Sequence, residues 1–426
     1  MKIIVAHPER QHSYRLASAL KRKNMLFKYV TTVYSMNSSL AMRLIKLLIS
    51  KEDAKRAETR KNPDLVDSDV RLFCRWRGFL ELALLRVKKL RIFYYHFRNG
   101  TIGEFGRRVA RFAIKNNVDA VIMYDTTAYQ CFRILARRAP QIRRILDISA
   151  ASRPFMLEIY KSDSYRSPDF ARTLGKEIPY LHDRKISKAY QEELLLSEVF
   201  LAPSEFVRST LVRSGITSRR IELVPYGVDI KQFEFTDRIC KSAQDRLEFV
   251  YVGGTKQFKG LSYLLEAFSR ISPEEANLTI VGTVDWELEL LQRCSSNIRF
   301  IGSRPHDEMP EILSMMDVLI LPSLGEGMSL SAMEAMACGL PVIVTNNSGL
   351  DGLVQDQVNG FMIPIQDPDT IQEKILWFLE HREWIPAMGK AARASIESRS
   401  WDAYYVDAVQ SIKRFMSADP EDSIFP

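Results

Sequence analysis

Residues Asp317–Thr345 read DVLILPSLGEGMSLSAMEAMACGLPVIVT. The opening DVLILPS is a short apolar run of strand length. It gives way to a glycine-flanked loop, Gly325-Glu326-Gly327, then to a helical stretch from Ser329, and then to a second apolar run, PVIVT. Strand, loop, helix and strand in this order form a right-handed crossover unit between parallel strands. The same beat extends upstream. Strands are expected at Arg246–Gly254, Ala276–Val284 and Asn297–Gly302, with helices at Gly260–Ile271, Asp285–Ser295 and His306–Met316 between them. Strands that are nearly continuous runs of Val, Ile and Leu belong to a parallel sheet covered by helices on both faces.

The N-terminal half repeats the rhythm, with strands expected at Lys2–Ala6, Phe27–Val33, Val118–Tyr124, Arg144–Ser149, Val199–Pro203 and Ile221–Pro225. A long basic insertion, about residues 35–99, separates the second from the third and reads as helical. The fold class is therefore α/β, with two doubly wound Rossmann-like domains facing across a cleft. Residues 1–240 form the acceptor-side domain, 241–400 the second domain, and 401–426 a C-terminal helix returning to the first. The stretch after Asp229, KQFEFTDRICKSAQD, lacks a period and reads as the linker. Ligands of such sheets bind beyond the carboxyl ends of the strands.

Bulk properties agree. A chain of 426 residues is about two domains long, and 46% hydrophobic with 26% charged residues is an ordinary globular composition. Residues 1–120 hold 26 Lys and Arg against 10 Asp and Glu, a net +16; since the whole chain is +8, the remainder carries −8. This asymmetry points to an anionic partner for the N-terminal half. No uncharged apolar run approaches the roughly 18–20 residues of a membrane span, and the N-terminus reads as a strand rather than a secretory signal. The five cysteines, Cys74, Cys131, Cys240, Cys294 and Cys338, are scattered with no zinc or redox spacing. A cytoplasmic location is expected, peripherally on the inner face of the cell membrane.

Chemistry concentrates in the opening stretch. Gly325 and Gly327 allow a close backbone approach to a ligand. At the start of the helix the amides of Met328, Ser329 and Leu330 are expected to be unpaired and to face the cleft, where a diphosphate would fit. Glu334 lies eight residues beyond Glu326, two turns along the helix, and its carboxylate suits a ribose diol.

This segment resembles the Glu-x7-Glu signature of retaining GT-B glycosyltransferases of the large family 4. The resemblance implies that Glu326 lies against the transferred sugar and that Glu334 binds the nucleotide ribose. YVGGTKQFKGL, Tyr251–Leu261, is similar to the family's strand-loop-helix in which an Arg and a Lys neutralise the donor diphosphate. Lys259 matches the Lys; Gly254 stands at the Arg position, with Lys256 or an N-domain arginine as a replacement. GSRPHDEM, Gly302–Met309, resembles a base-contacting loop and brings in Arg304; Val281-Gly282-Thr283 resembles a second. Leu201–Val207 and Val224–Asp229 resemble framework segments. In the N-terminal half the likeness is weak: the loop after the first strand has no glycine, leaving Arg10, Gln11, His12 and Arg15 as candidate contacts, and the stretch Asp147–Pro154 has no His, so that Asp147, Arg153 or nothing occupies that space.

The resemblance implies a UDP- or GDP-sugar donor, no cofactor and no metal, a saccharide or lipid-linked saccharide acceptor, and a role in surface polysaccharide or glycoconjugate synthesis. Asp67-Ser68-Asp69 matches a metal-binding Asp-x-Asp only superficially and reads as a polar helix cap. A dinucleotide oxidoreductase needs Gly-x-Gly-x-x-Gly after a first strand, which is missing; no nucleic-acid-binding module is recognisable. The alternative that stays open is a catalytically degenerate GT-B scaffold acting through a partner. Leu40–Ile49 and Phe79–Tyr95 mix apolar and basic residues. In the second, Ala83, Val87, Leu90 and Tyr94 share one helical face while Arg86, Lys88, Lys89 and Arg91 crowd the others, as in a helix lying on an anionic membrane surface.

Overall fold

A computed structural model describes residues 1–9, 12–35, 61–86, 91–171, 173–174, 182–284 and 295–417. It contains two parallel sheets. The N-terminal sheet has seven strands in the order β3-β2-β1-β4-β5-β6-β7: β1 (Ile3–Ala6), β2 (Leu26–Thr31), β3 (Val70–Leu72), β4 (Ala120–Tyr124), β5 (Arg143–Asp147), β6 (Val199–Ala202) and β7 (Ile221–Leu223). The C-terminal sheet has six in the order β10-β9-β8-β11-β12-β13: β8 (Leu247–Val252), β9 (Ala276–Val281), β10 (Ile298–Gly302), β11 (Val318–Leu321), β12 (Val342–Thr345) and β13 (Gly360–Ile363). Every strand pair is parallel. β1, β4, β6, β11 and β12 are buried at every residue. That accounts for their unbroken apolar sequence: helices cover both faces, so no position faces water.

The insertion is not wholly helical as expected. Asp67–Asp69 forms a short 3-10 turn and Val70–Leu72 an edge strand pairing with β2. Three residues are too few to show a period in sequence. Asp69 caps this turn, accepting from the Val66 amide (2.9 Å) and from Lys21 Nζ (2.5 Å), which commits its carboxylate to structure. Two helices follow, Arg75–Arg86 and Arg91–Lys115. The stretch Leu40–Ile49 and residues 87–90, with Val87, Lys88, Lys89 and Leu90, lie outside the described residues, as does almost all of the helix expected at Asp285–Ser295.

The membrane-facing assignment of Tyr94 is corrected. Its hydroxyl donates to Glu9 Oε1 at 3.4 Å, and Arg98 pairs with the same carboxylate, so that side of the long helix packs on the loop after β1. Among the described side chains, exposed large apolar residues lie on the preceding helix instead. There Gly78 abuts Thr32 and Glu81 is buried, while Trp76 and Leu80, one turn apart on the other side, are 75% and 46% exposed.

The chain crosses between the domains twice, side by side. Val228 bridges Ser400 and its amide donates to Arg399 O at 2.8 Å. Helix Trp401–Ser417 then packs on helix Ser13–Arg22 of the N-terminal domain: Arg15 lies 4.6 Å over Trp401, Arg22 lies 4.5 Å over Tyr405, and Arg22 Nη1 donates to Asp402 at 2.7 Å. Tyr404, Tyr405, Ile412 and Phe415 are buried along this helix, and burial of each large apolar side chain is worth about 1.5–3 kcal/mol.

At the crossing itself, a Cβ on Gly227 would stand 2.5 Å from Ser400 C and O and Trp401 N. Gly227→Ala should therefore push the two segments apart and destabilise the protein by about 1–3 kcal/mol, read as a lower thermal midpoint. An unchanged midpoint would show that the crossing yields without cost.

Candidate active site

The carboxyl ends of β8 and β11 lie side by side in the C-terminal sheet, and the loops leaving them are joined backbone to backbone. Leu324 N donates to Phe258 O at 2.9 Å. Gly260 makes the approach feasible: it adopts φ +68°, and a Cβ there would fall 1.8 Å from Pro322 O. The result places Lys259 against Glu326, 67 residues apart in sequence, with Nζ paired to Oε1. Ser323 Oγ donates to the same oxygen at 2.8 Å. Both charged side chains keep some contact with solvent.

A loop that the sequence did not single out holds the glutamate loop from behind. After β12, Asn347 O accepts from the Glu326 amide (2.8 Å), Asn347 Nδ2 donates to Leu324 O (2.8 Å), and Ser348 O accepts from the Ser329 amide (3.1 Å). Gly349, at φ +70°, packs its backbone on Gly327, whose carbonyl would lie 2.2 Å from a Cβ. The one available signal was the turn composition of Asn346-Asn347-Ser348-Gly349.

This arrangement corrects one expectation. Ser329 is the N-cap of helix Leu330–Ala337 and its amide is taken by Ser348, so it does not present a free donor to a ligand. Its side chain accepts from the Ala332 amide at 3.4 Å, the usual N-cap service. Among the described residues no carbonyl takes the amides of Met328 and Leu330. The far end of the helix is held by Arg238 and Arg393, which donate to Cys338 O (3.3 Å) and Ala337 O (2.9 Å); cations there complement the helix dipole whose positive end faces the cleft.

Glu334, mostly buried, accepts from His306 Nε2 at 2.8 Å. This hydrogen bond, ahead of the opposing effect of burial, raises the His306 pKa above the ordinary imidazole value. His306 was legible only as part of a loop resembling a base contact. Arg304 and Lys256 are exposed on their loops. Gly254, in place of the expected arginine, lies under Tyr251, whose buried hydroxyl donates to Gly254 O (2.8 Å), and a Cβ there would meet Thr283 Oγ1 at 3.0 Å.

The N-terminal domain closes on this loop. A Cβ on Gly327 would lie 2.0 Å from Ser149 O, one on Gly325 would lie 2.5 Å from Met156 Sδ, and Ser204 Oγ donates to Gly327 O at 2.6 Å. Arg153 begins the helix that carries Met156, and its guanidinium sits 5.5 Å over the Tyr190 ring. Behind Ser149 lies Asp125, which accepts from its amide (3.1 Å) and hydroxyl (2.8 Å); burial raises the Asp125 pKa. Sequence reading missed Asp125, and missed Glu193, a buried carboxylate that accepts from the amides of Thr126, Ala128 and Tyr129 and so fixes the loop after β4.

His12 is turned inward. Its Nε2 meets Asp147 Oδ1 at 3.2 Å and Tyr226 OH at 3.3 Å, and its side chain is 10% exposed. It thereby ties the start of the first helix to β5 and to the framework turn at Tyr226. Arg10 and Gln11 lie outside the described residues. Among the described residues no three His, Cys, Asp or Glu side chains gather as metal ligands, and no helix is long and apolar enough to cross a membrane.

Comparison with known proteins places this geometry. Residues 246–381 match the family described as Glycosyl transferases group 1. The amylovoran biosynthesis glycosyltransferase AmsK of Erwinia amylovora is 25% identical over 284 residues, 59% of this chain and 68% of AmsK. Two further curated glycosyltransferases are matched over only 45% and 58% of their own length. Among solved structures, sucrose-phosphate synthase of Thermosynechococcus elongatus superposes with a TM-score of 0.66 at 17% identity, covering 98% of this chain and 100% of that one. Anabaena Alr3699/HepE in complex with UDP-glucose superposes with a TM-score of 0.63 at 15% identity, covering 97% and 100%. The chain thus has the GT-B fold of glycosyltransferases along nearly its whole length, with its match to the group 1 glycosyl transferases lying in the C-terminal domain.

Proposed function

We propose that the protein is a retaining glycosyltransferase that moves a sugar from a UDP- or GDP-sugar to a saccharide or lipid-linked saccharide acceptor, in the synthesis of a surface polysaccharide or glycoconjugate. The observation that carries this reading is the Lys259–Glu326 pair at the mouth of the C-terminal sheet, beside a helix start and within one helix of Glu334. Support comes from the group 1 match and from AmsK, named for amylovoran biosynthesis, while the HepE complex holds UDP-glucose on the same fold.

In this reading the ribose diol hydrogen-bonds to Glu334. The diphosphate lies at the amides of Met328 and Leu330 and draws Lys259 away from Glu326, so these groups stabilise the leaving diphosphate without a metal. Glu326, released from Lys259, faces the sugar and stabilises positive charge at the anomeric carbon. Thr283 crowds the place of a second cation at Gly254, its Oγ1 3.0 Å from where a Cβ would stand, which leaves Lys259 the main charge on the donor. That crowding is what favours the rival reading, a GT-B scaffold that binds without turnover.

The basic N-terminal half would bring the enzyme to an anionic membrane surface. Trp76 and Leu80 stand exposed, in a stretch of chain that also carries Arg71, Arg75 and Arg77, an indole, an aliphatic side chain and cations suited to a headgroup interface.

Three outcomes test these assignments. Glu334→Ala should weaken binding of the cognate nucleoside diphosphate by about 1.5–3 kcal/mol in calorimetry, and an unchanged affinity would refute the ribose assignment. Glu326→Gln should leave that affinity intact while turnover falls steeply, and the wild-type product should retain the anomeric configuration of the donor. An inverted product removes the mechanism, and nucleotide-sugar binding with no turnover against any acceptor leaves the scaffold reading. In liposome co-sedimentation the protein should need anionic lipid, release as salt screens the charges, and bind less when Trp76 and Leu80 become Ser; equal recovery on neutral vesicles would argue for a soluble acceptor.

A further inference from the structure

His306 stands between Glu334 and the segment that joins the two domains. Gln232 Nε2 lies 3.2 Å from His306 Nδ1 and 3.1 Å from His306 O. A carbonyl oxygen only accepts, so the amide nitrogen of Gln232, not its oxygen, faces this loop. That nitrogen has hydrogens to give and no lone pair to offer, so the neutral imidazole must present its own lone pair at Nδ1. The ring hydrogen then resides on Nε2, which donates to Glu334 Oε1 at 2.8 Å. Phe233, next in the linker, meets the ring edge-on at 5.2 Å. The imidazole is thus oriented by two linker residues, and its tautomer by one of them.

We propose that His306 is the positioning residue for Glu334, holding the carboxylate toward the nucleotide ribose, with Gln232 setting the tautomer that lets it do so. The inference rests on the assignment of Glu334 to the ribose. A carboxylate offers about four lone-pair sites; the Nε2–H takes one and leaves the others for a diol, as an outer partner orients an inner ligand elsewhere. Protonation of His306 would break this arrangement twice. It sets an Nδ1–H against the Gln232 amide hydrogens, and it draws Glu334 into an ion pair that competes with the diol. Three acidic groups act on the ring, Glu334 from its helix, Asp229 from the linker and Asp307 from its own loop, and with the Glu334 hydrogen bond they favour the protonated form. The sign follows: the donor should bind best where His306 is neutral, and affinity should fall as pH drops through the raised His306 pKa.

The test is calorimetry on the full chain with UDP-glucose or the GDP-sugar that binds the wild type, whose disubstituted diphosphate does not titrate between about pH 6 and 9. Wild-type affinity should fall about 3-fold or more from pH 8.5 to pH 6. His306→Ala should bind about 10-fold more weakly at pH 8.5 with a flat profile. His306→Gln, which keeps an N–H for Glu334, should regain most of the affinity while staying flat, so a mere loss of folding cannot account for both. Gln232→Ala should move the wild-type profile to higher pH. His306→Ala binding as tightly as wild type, or more tightly, would overturn the proposal, as would a wild-type pH profile in either His306 variant. Weak binding by Glu334→Ala beside unaltered binding by His306→Ala would end this inference and leave the ribose assignment standing.

Discussion

The candidate site in the C-terminal domain depends on one backbone contact. The carbonyl of Pro322 occupies the place where a side chain on Gly260 would stand, so the loops leaving β8 and β11 can seal against each other and put a lysine and a glutamate from distant segments into one ion pair. A second contact of the same kind, Gly349 on Gly327, fixes the glutamate loop from the other side. Both depend on missing side chains, where even one added methyl group meets backbone. The placement of Lys259 against Glu326 is therefore set by main-chain contacts.

How far this was legible in the sequence follows from the same physics. β11 and β12 were readable because burial on both faces calls for apolar residues, whereas β13, mostly buried beside β12, was not recognised; the helix boundary at Ser329 was readable because its hydroxyl caps the first turn. Glu326 and Glu334 stood out through their eight-residue spacing and glycine frame, and Lys259 through the likeness of its segment to the family's strand-loop-helix. What escaped was whatever depends on a partner far away in the chain. Val70–Leu72 becomes a strand only because β2 offers an edge. The Ser329 amide is occupied only because β12 delivers Ser348 beside it. Tyr94 looks like a surface anchor on a helical wheel, yet Glu9, 85 residues earlier, is its hydrogen-bond partner.

Several polar contacts cross the cleft. Asp163, fully buried on the N-terminal side, accepts from Tyr263 (2.6 Å) and Gln366 (3.2 Å) of the C-terminal domain; its burial raises its pKa. Phe206 N donates to Asp351 at 2.8 Å, and Gln257 N donates to Thr173 at 2.9 Å. Such bonds exchange readily for water, each contributing about 0.5–1.5 kcal/mol net. This is the kind of interface from which two domains can separate and close again.

The return of the last helix to the first domain has a consequence for how the protein is made. Helix Ser13–Arg22 is synthesised early, but the aromatic and acidic side chains that cover it, on Trp401–Ser417, leave the ribosome only after the whole second domain has been made. Until then the N-terminal sheet can form while one of its covering helices has an unfinished outer face, with Arg15 and Arg22 lacking the rings on which they later stack. The second domain thus folds as an insert between two parts of the first, and only its completion brings the closing piece into reach.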